Sequence, residues 1–314
     1  MRVFVAGASG AIGRSLVPQL LAAGHDVTGM TRREEAATQI RGAGAAAVVC
    51  DVFDAKALEA ALREASPEVV VHALTALPPR IDYRSKDDPL AATNRVRTEG
   101  TANLIAAAKA AGAQRLVVES VAFFYAPEGD WVKGEEAPLF LDVPAPFGNA
   151  VKALTELERQ VSAIEGIEAL ILRYGWLYGP GTYFDRDGSQ TEDVRKRRAP
   201  LVGKGTGTFS FLQVEDAASA TVAAVELGAP GVYNVVDDEP APYHVWLPVF
   251  AEEIGAKPPR SVPVWLARLI AGPAAEAMAI ELRGASNAKA KRELGWRPRY
   301  PSWRQGFSDA AARG

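Results

Sequence analysis

The sequence predicts an α/β protein, a doubly wound parallel sheet carrying a smaller C-terminal α/β lobe. Three observations lead there. The chain opens on a short apolar strand, met at once by glycines at 7, 10 and 13 and then by an amphipathic run with Leu16, Val17, Leu20 and Leu21 on one side. Up to Tyr174, continuous apolar stretches alternate with helical patterns across short connections, as in a parallel sheet covered on both faces. After Gly175 the strands thin out and the helices are interrupted by proline and glycine.

Taken in order, the first strand, glycine turn and helix form a phosphate-binding entry. Gly7 permits the tight turn, Gly10 leaves room for a diphosphate, and Gly13 lets the helix pack close to the strand. Ser9, Ala11 and Ile12 complete the cradle, where the unpaired N–H groups of the first helical turn face an anion. The second strand, Val27 to Thr31, ends in Thr31-Arg32-Arg33. An acidic residue there would bind the adenosine ribose of NAD. Two guanidinium groups instead suit a 2′-phosphate, so NADP(H) is expected over NAD(H). The third strand, Ala46 to Cys50, leads to Asp51-Val52, placed to meet the adenine.

Residues 54–65 read as a helix, and Val69-Val70-Val71 as a buried strand ending in His72-Ala73-Leu74. Ligands bind outside the carboxyl ends of such strands, which places Ala73 and Leu74 at the cofactor. His72 is read as a structural histidine. A loop over 75–88, a long helix over 89–112, the strand Leu116 to Val118 and a long loop to Phe147 follow. The next helix carries Lys152, with Leu154, Leu157, Val161 and Ile164 as its apolar stripe. The strand Leu170 to Tyr174 runs into Gly175-Trp176-Leu177, which puts Tyr174 and Leu177 beside the cofactor. Arg195-Lys196-Arg197-Arg198 reads as a solvated helix face. Asp216 opens an alanine-rich helix and is placed to act in its first turn. Tyr233 to Val236 is a short strand. Residues 1–174 are thus mainly the dinucleotide-binding domain and 175–314 mainly the substrate lobe, with 208–240 returning to the first.

Composition narrows the function. With 314 residues, 48% hydrophobic and 23% charged, the chain is ordinary for a globular protein. A net charge of −3 provides no field for nucleic acid or an anionic membrane. One cysteine and three scattered histidines, His25, His72 and His244, show no disulfide and no metal-ligand spacing. No run is long enough to span a membrane, and residue 1 already starts a strand, so a cytoplasmic setting is expected.

The glycine turn, Asp51-Val52, Arg173-Tyr174 with Tyr178-Gly179-Pro180-Gly181, Val214-Glu215-Asp216, Tyr233-Asn234-Val235 and Leu294-Gly295-Trp296 together resemble the extended short-chain dehydrogenase/reductases, which include nucleotide-sugar epimerases and dehydratases. The resemblance implies an NAD(P)-binding Rossmann domain, a C-terminal substrate lobe and often a homodimer, here through residues 89–112 and 149–165. Chemistry in that family uses a tyrosine four residues before a lysine on one helix, one turn apart, with a serine or threonine after the preceding strand. Lys152 matches the lysine and is expected to bind the cofactor ribose. The tyrosine position falls on Gly148, beside Phe147, and the serine position on Val121, next to Ser120. The chain is therefore an atypical member. Another acid must serve, drawn from Tyr125, Tyr178, Tyr183 and Ser120, with Tyr125 first.

The aromatic set Phe123, Phe124, Trp131, Trp176, Tyr178, Tyr183 and Phe184 suggests an apolar pocket wall. The leading reading is an NADP(H)-dependent oxidoreductase acting by hydride transfer on a small organic carbonyl or alcohol. An epimerase or dehydratase using the cofactor transiently, and a redox sensor without turnover, are the alternatives.

Overall fold

The computed structural model describes residues 1–82 and 87–312; residues 83–86 of the expected 75–88 loop lie outside them. Seven parallel strands form the central sheet: β1 (Arg2–Ala6), β2 (Asp26–Thr31), β3 (Ala46–Val49), β4 (Val69–His72), β5 (Arg115–Val121), β6 (Glu168–Tyr174) and β7 (Gly231–Val235). They lie side by side in the order 7-6-5-4-1-2-3. The chain builds outward from β1 to β3, then returns to lay β4 on the other side of β1. That reversal leaves a crevice at the carboxyl ends of β1 and β4, where α/β sheets bind ligands.

Helices cover both faces. On one, α1 (Ala11–Ala22) and α2 (Glu34–Gly42) pack with a later helix, Val214–Glu226, around Val3, Val5, Leu16, Leu20 and Ile40. On the other, α3 (Ala55–Ala65) stands beside the segment running from α4 (Ala91–Arg95) through a π-helical turn, Val96–Gly100, into α5 (Thr101–Ala110). The helix expected over 89–112 is thus interrupted by a π turn, a distortion common at functional sites. Next to it lies α6 (Phe147–Ser162), burying Leu157 and Val161 against Ile171.

Beyond the sheet, α7 (Ser189–Arg195), α8 (Val214–Glu226), α9 (Tyr243–Glu253), α10 (Val264–Ile280), α11 (Ala288–Glu293) and α12 (Trp303–Ala312) follow, with short two- and three-residue strands between them. A separate aromatic core, including Phe184, Phe209, Phe211, Trp246, Phe250, Trp303 and Phe307, holds this part together. Asp216 in the first turn of α8 is buried, and its carboxylate accepts the Arg299 and Tyr300 amides at 2.8 and 2.9 Å. It clasps the C-terminal segment to the sheet and offers no group to a ligand. The basic run at 195–198 is tied down in part: Lys196 pairs with Glu192, and Arg198 with Asp193 at 2.8 Å.

Asp237, just past β7, is 1% exposed, and its Oδ2 has no hydrogen-bond partner among the described residues. Burial pushes its carboxyl up to about 8. A carboxyl whose folded pKa lies above its unfolded one contributes most stability below the unfolded value and loses it as pH rises toward the folded value. Asp237→Asn therefore raises the melting temperature by a few degrees at pH ~8 and changes it little at pH ~4. Thermal denaturation at the two pH values checks this, and equal shifts at both would contradict it.

Candidate active site

The glycine turn has the backbone the sequence demands. Gly7 sits at φ +100°, and a Cβ there would lie 2.2 Å from the Ala73 carbonyl oxygen. At Gly13 a Cβ would come within 2.3 Å of the Gly7 carbonyl oxygen, so only glycine lets α1 seat on the turn. A Cβ on Gly10 would touch only the Gly7 carbonyl oxygen, at 3.3 Å, and otherwise face open space. Gly10 is also the N-cap of α1 and has no side chain to cap the first-turn amides. A bare helix N-terminus beside an open backbone fits a diphosphate.

Around this cradle, Ser9 Oγ and Thr31 Oγ1 lie 3.0 Å apart, linking the turn to the end of β2. Arg32 and Arg33 are exposed there, and neither side chain has an ion pair among the described residues. Asp51 uses Oδ1 to accept the Phe53 amide at 3.0 Å, while Val52 is buried against Gly100. Arg14, which sequence reasoning missed, reaches from α1 to Gly181: a Cβ on that glycine would lie 2.0 Å from its Nη2. Its only signal was a basic residue in the first turn of the phosphate-side helix.

The cradle opens into a cavity of about 600 Å³. Gly10, Ala11, Ile12, Ala73, Tyr174 and Leu177 form the cofactor-side wall. Opposite stand Phe123, Phe124, Phe147, Trp176, Tyr183 and Phe184, with the Phe123 and Trp176 rings stacked at 4.2 Å. Two residues expected in this wall are elsewhere. Tyr178 is buried edge-on against Phe307, and Trp131 is exposed beneath the Arg283 guanidinium.

Helix α6 carries the residues of the expected alignment. Phe147 and Ala150 line the cavity, and Val151, one turn from Phe147, is fully buried. Lys152 lies about 100° further round the helix and is exposed, outside the cavity wall. Gly148 is held against the Val143 carbonyl, where a Cβ would lie at 2.3 Å. The cavity-facing residue is therefore Phe147, and the residue four on from it is Val151. Neither the phase of the helix nor this contact is visible in local sequence.

Tyr125, the leading proton-donor candidate, is also displaced. It is fully buried, donates to Asn234 Oδ1 at 2.6 Å and accepts from Arg173 Nη1 at 2.9 Å. Arg173 in turn grips Glu158 through Nε at 2.8 Å and Nη2 at 2.6 Å. Ser120 reaches the cavity wall, yet its hydroxyl donates to the same Glu158 at 2.7 Å. Tyr125 and Ser120 thus belong to one buried network that locks β5, α6, β6 and β7 together. Tyr183 donates to the Pro78 carbonyl at 2.7 Å, and the Tyr174 hydroxyl meets Thr221 at 2.6 Å. His72 contacts Thr101 at 3.0 Å, the partner expected of a structural histidine, and burial pushes it down to about 4, so it stays neutral.

The wall's remaining ionisable groups include a pair that sequence reasoning overlooked. Arg97 comes from the π turn and Glu119 from the end of β5, and both line the cavity. Burial pushes the Glu119 carboxyl up to about 7 against the pull of Arg97. Burial likewise brings the Arg97 guanidinium down to about 10, against Glu119. Arg97 also donates to Asn94 Oδ1 at 3.1 Å. A carboxylate at the carboxyl end of a parallel strand was the signal available for Glu119.

A parallel sheet with a diphosphate cradle at its reversal point and an apolar cavity beside it defines a dinucleotide-dependent enzyme. The chain belongs to the NAD dependent epimerase/dehydratase family, which its residues 3–235 match, and it is an NAD(P)-dependent oxidoreductase. It is 47% identical over 311 residues to a Streptomyces 3-diazoavenalumate denitrifying reductase, covering 98% of this chain and 99% of that one. It is 26% identical to a Stenotrophomonas maltophilia 2-alkyl-3-oxoalkanoate reductase, over 82% of this chain and 76% of the relative. Among solved structures, UDP-glucose 4-epimerase of Thermus thermophilus in complex with NAD superposes with a TM-score of 0.75 at 24% identity, covering 100% and 99% of the two chains. UDP-glucose 4-epimerase of Thermotoga maritima with UDP-glucose gives 0.77 at 20% identity, covering 99% and 98%. These two likenesses support the Rossmann fold.

Proposed function

We propose that the cleft binds NADP(H) in preference to NAD(H), and that the protein reduces a small, largely apolar organic acceptor held against the aromatic wall. The observation that carries this reading is the continuity of the diphosphate cradle with a cavity walled by Phe123, Phe147, Trp176 and Phe184. Bound there, the dihydronicotinamide supplies a hydride equivalent; the protein's residues position the acceptor and exclude water. Gly7 to Gly13 hold the diphosphate, Arg14 closes over it, Arg32 and Arg33 take the 2′-phosphate, and Asp51 and Val52 flank the adenine.

The two reductase relatives suggest the acceptor: a diazo acid or a 3-oxo acid. A cavity of about 600 Å³ suits a molecule of that size. The same reading takes the chain as a cytoplasmic homodimer joined through the helices at 89–112 and 149–165. The test is NADPH consumption with 3-diazoavenalumate, followed by dinitrogen release, and with a 2-alkyl-3-oxoalkanoate. Turnover of either supports the reading; tight binding of NADPH with no turnover of any acceptor in a broad panel returns the redox-sensor alternative.

Cofactor choice has its own test. A charge-assisted contact contributes about 1.5–3 kcal/mol, or roughly 10- to 100-fold in affinity. Arg32→Ala therefore weakens NADPH binding by roughly that factor and leaves NADH nearly unchanged. Fluorescence titration with both coenzymes checks it, and equal losses for both would contradict the assignment.

A further inference from the structure

We propose that Glu119 is the acid that delivers the proton accompanying the hydride, with Arg97 as the positioning residue that holds the carboxylate left behind. This inference rests on the reductase reading of the same cavity. The stoichiometry requires a proton. A carbonyl takes one hydride on carbon and one proton on oxygen to become an alcohol. A diazo carbon takes one hydride and one proton as the C–N bond breaks and dinitrogen departs with its electron pair. In both, two electrons come from the dihydronicotinamide and one proton must be supplied with them.

The cavity wall leaves few candidates. Phe147 and Val151 carry no exchangeable proton. The hydroxyls of Ser120, Tyr183 and Thr182 donate to Glu158 and to the Pro78 and Gly179 carbonyls. Tyr174 is paired with Thr221, and burial pushes its phenol far above the neutral range. Thr75 and Ser189 offer aliphatic hydroxyls, too weakly acidic to act at neutral pH. Asp185 sits across the cavity, accepting the Gly181 amide at 2.7 Å, and Asp187 is exposed on the same loop.

Glu119 differs from all of these. Its side chain has no hydrogen bond among the described residues, and it lies on the sheet edge beyond the end of β4. The register places it next to Leu172 on β6, with no β4 residue opposite. Arg97 from the π turn and Tyr174 from β6 interact with it electrostatically, and Asp185 and Asp187 share the cavity wall. His72, on the neighbouring strand, is turned to Thr101. Arg97 is the only basic side chain on the wall among the described residues. The neutral carboxyl survives to near-neutral pH because the cavity wall desolvates it, and the ion formed after proton transfer is stabilised by the guanidinium. Solvent entering by the cavity mouth then reprotonates it.

The experiment compares wild type, Glu119→Gln and Glu119→Asp, with NADPH and 3-diazoavenalumate or a 2-alkyl-3-oxoalkanoate as acceptor. Wild-type kcat falls tenfold per pH unit on the alkaline side of an apparent pKa near 7. Glu119→Gln lowers kcat about 100-fold and flattens that limb, while NADPH affinity stays within threefold; Glu119→Asp restores part of the loss. A second readout uses the apo protein. The melting temperature of Glu119→Gln rises relative to wild type between pH ~5 and pH ~8, because only wild type must ionise a buried carboxyl there. Turnover by Glu119→Gln within threefold of wild type overturns the proposal while leaving the reductase reading intact. A melting-temperature gap that does not change with pH overturns it even if neither acceptor is turned over.

Discussion

With Glu158 replaced by alanine, the protein loses about 3–5 kcal/mol of stability, the cost of stranding a buried charge. The Arg173 and Glu158 side chains are only 7% and 11% exposed, and they meet at 2.6 Å. Removing the carboxylate leaves the guanidinium desolvated with only Tyr125 and the Glu135 carbonyl as partners. It also leaves the Ser120 hydroxyl without its acceptor. For a chain of this length the loss corresponds to a fall of roughly 5–8 °C in melting temperature. Chemical denaturation measures it directly. A loss below about 1 kcal/mol would show that water or a neighbouring group reaches the site, as at exposed ion pairs. Surface pairs such as Arg95–Glu99, more than 45% exposed on both sides, set the comparison: solvent screens them, and their removal changes stability little.

The second large effect is expected at Gly7. Alanine there faces two penalties at once. A φ of +100° is strained for any L side chain, and the new Cβ would lie 2.2 Å from the backbone oxygen of Ala73, which cannot rotate away. The turn must open, and the β1–β4 crevice opens with it. Strain of about 1–3 kcal/mol from the backbone angle alone predicts NADPH affinity falling roughly 10- to 100-fold, with the overlap adding to it. Gly10→Ala is the control, because its Cβ would meet only one atom, at 3.3 Å, in the absence of ligand. That variant folds with near wild-type stability yet binds NADPH poorly. Calorimetric titration and thermal denaturation of the two variants separate strain from lost ligand space.

Much of the architecture was legible because it is written locally. Alternation of apolar strands with amphipathic helices requires only short-range patterning, and Val69 to Val71 could be little other than a buried parallel strand. The glycine turn was legible for the same reason: its three positions answer to one local geometry. What escaped depended on contacts distant in sequence. Tyr125 is claimed by Asn234, 109 residues later, so its hydroxyl looked available when it was not. The outward turn of Lys152 was likewise hidden, because the phase of α6 is set where Gly148 meets the Val143 carbonyl and where Phe147 packs on Phe124. Arg97 resembled any basic residue of an alanine-rich helix. Only the π turn and the facing carboxyl of Glu119 reveal that it points inward. The site's special chemistry thus sits where local pattern and tertiary placement disagree.

The central claim is that the cleft between β1 and β4 is built for a phosphorylated nicotinamide dinucleotide. Isothermal titration calorimetry of the protein with NADPH and NADH tests it most directly. The account predicts saturable NADPH binding at one site per chain, at least tenfold tighter than NADH. Absence of heat from both coenzymes at millimolar concentration, or tighter binding of NADH, would contradict it.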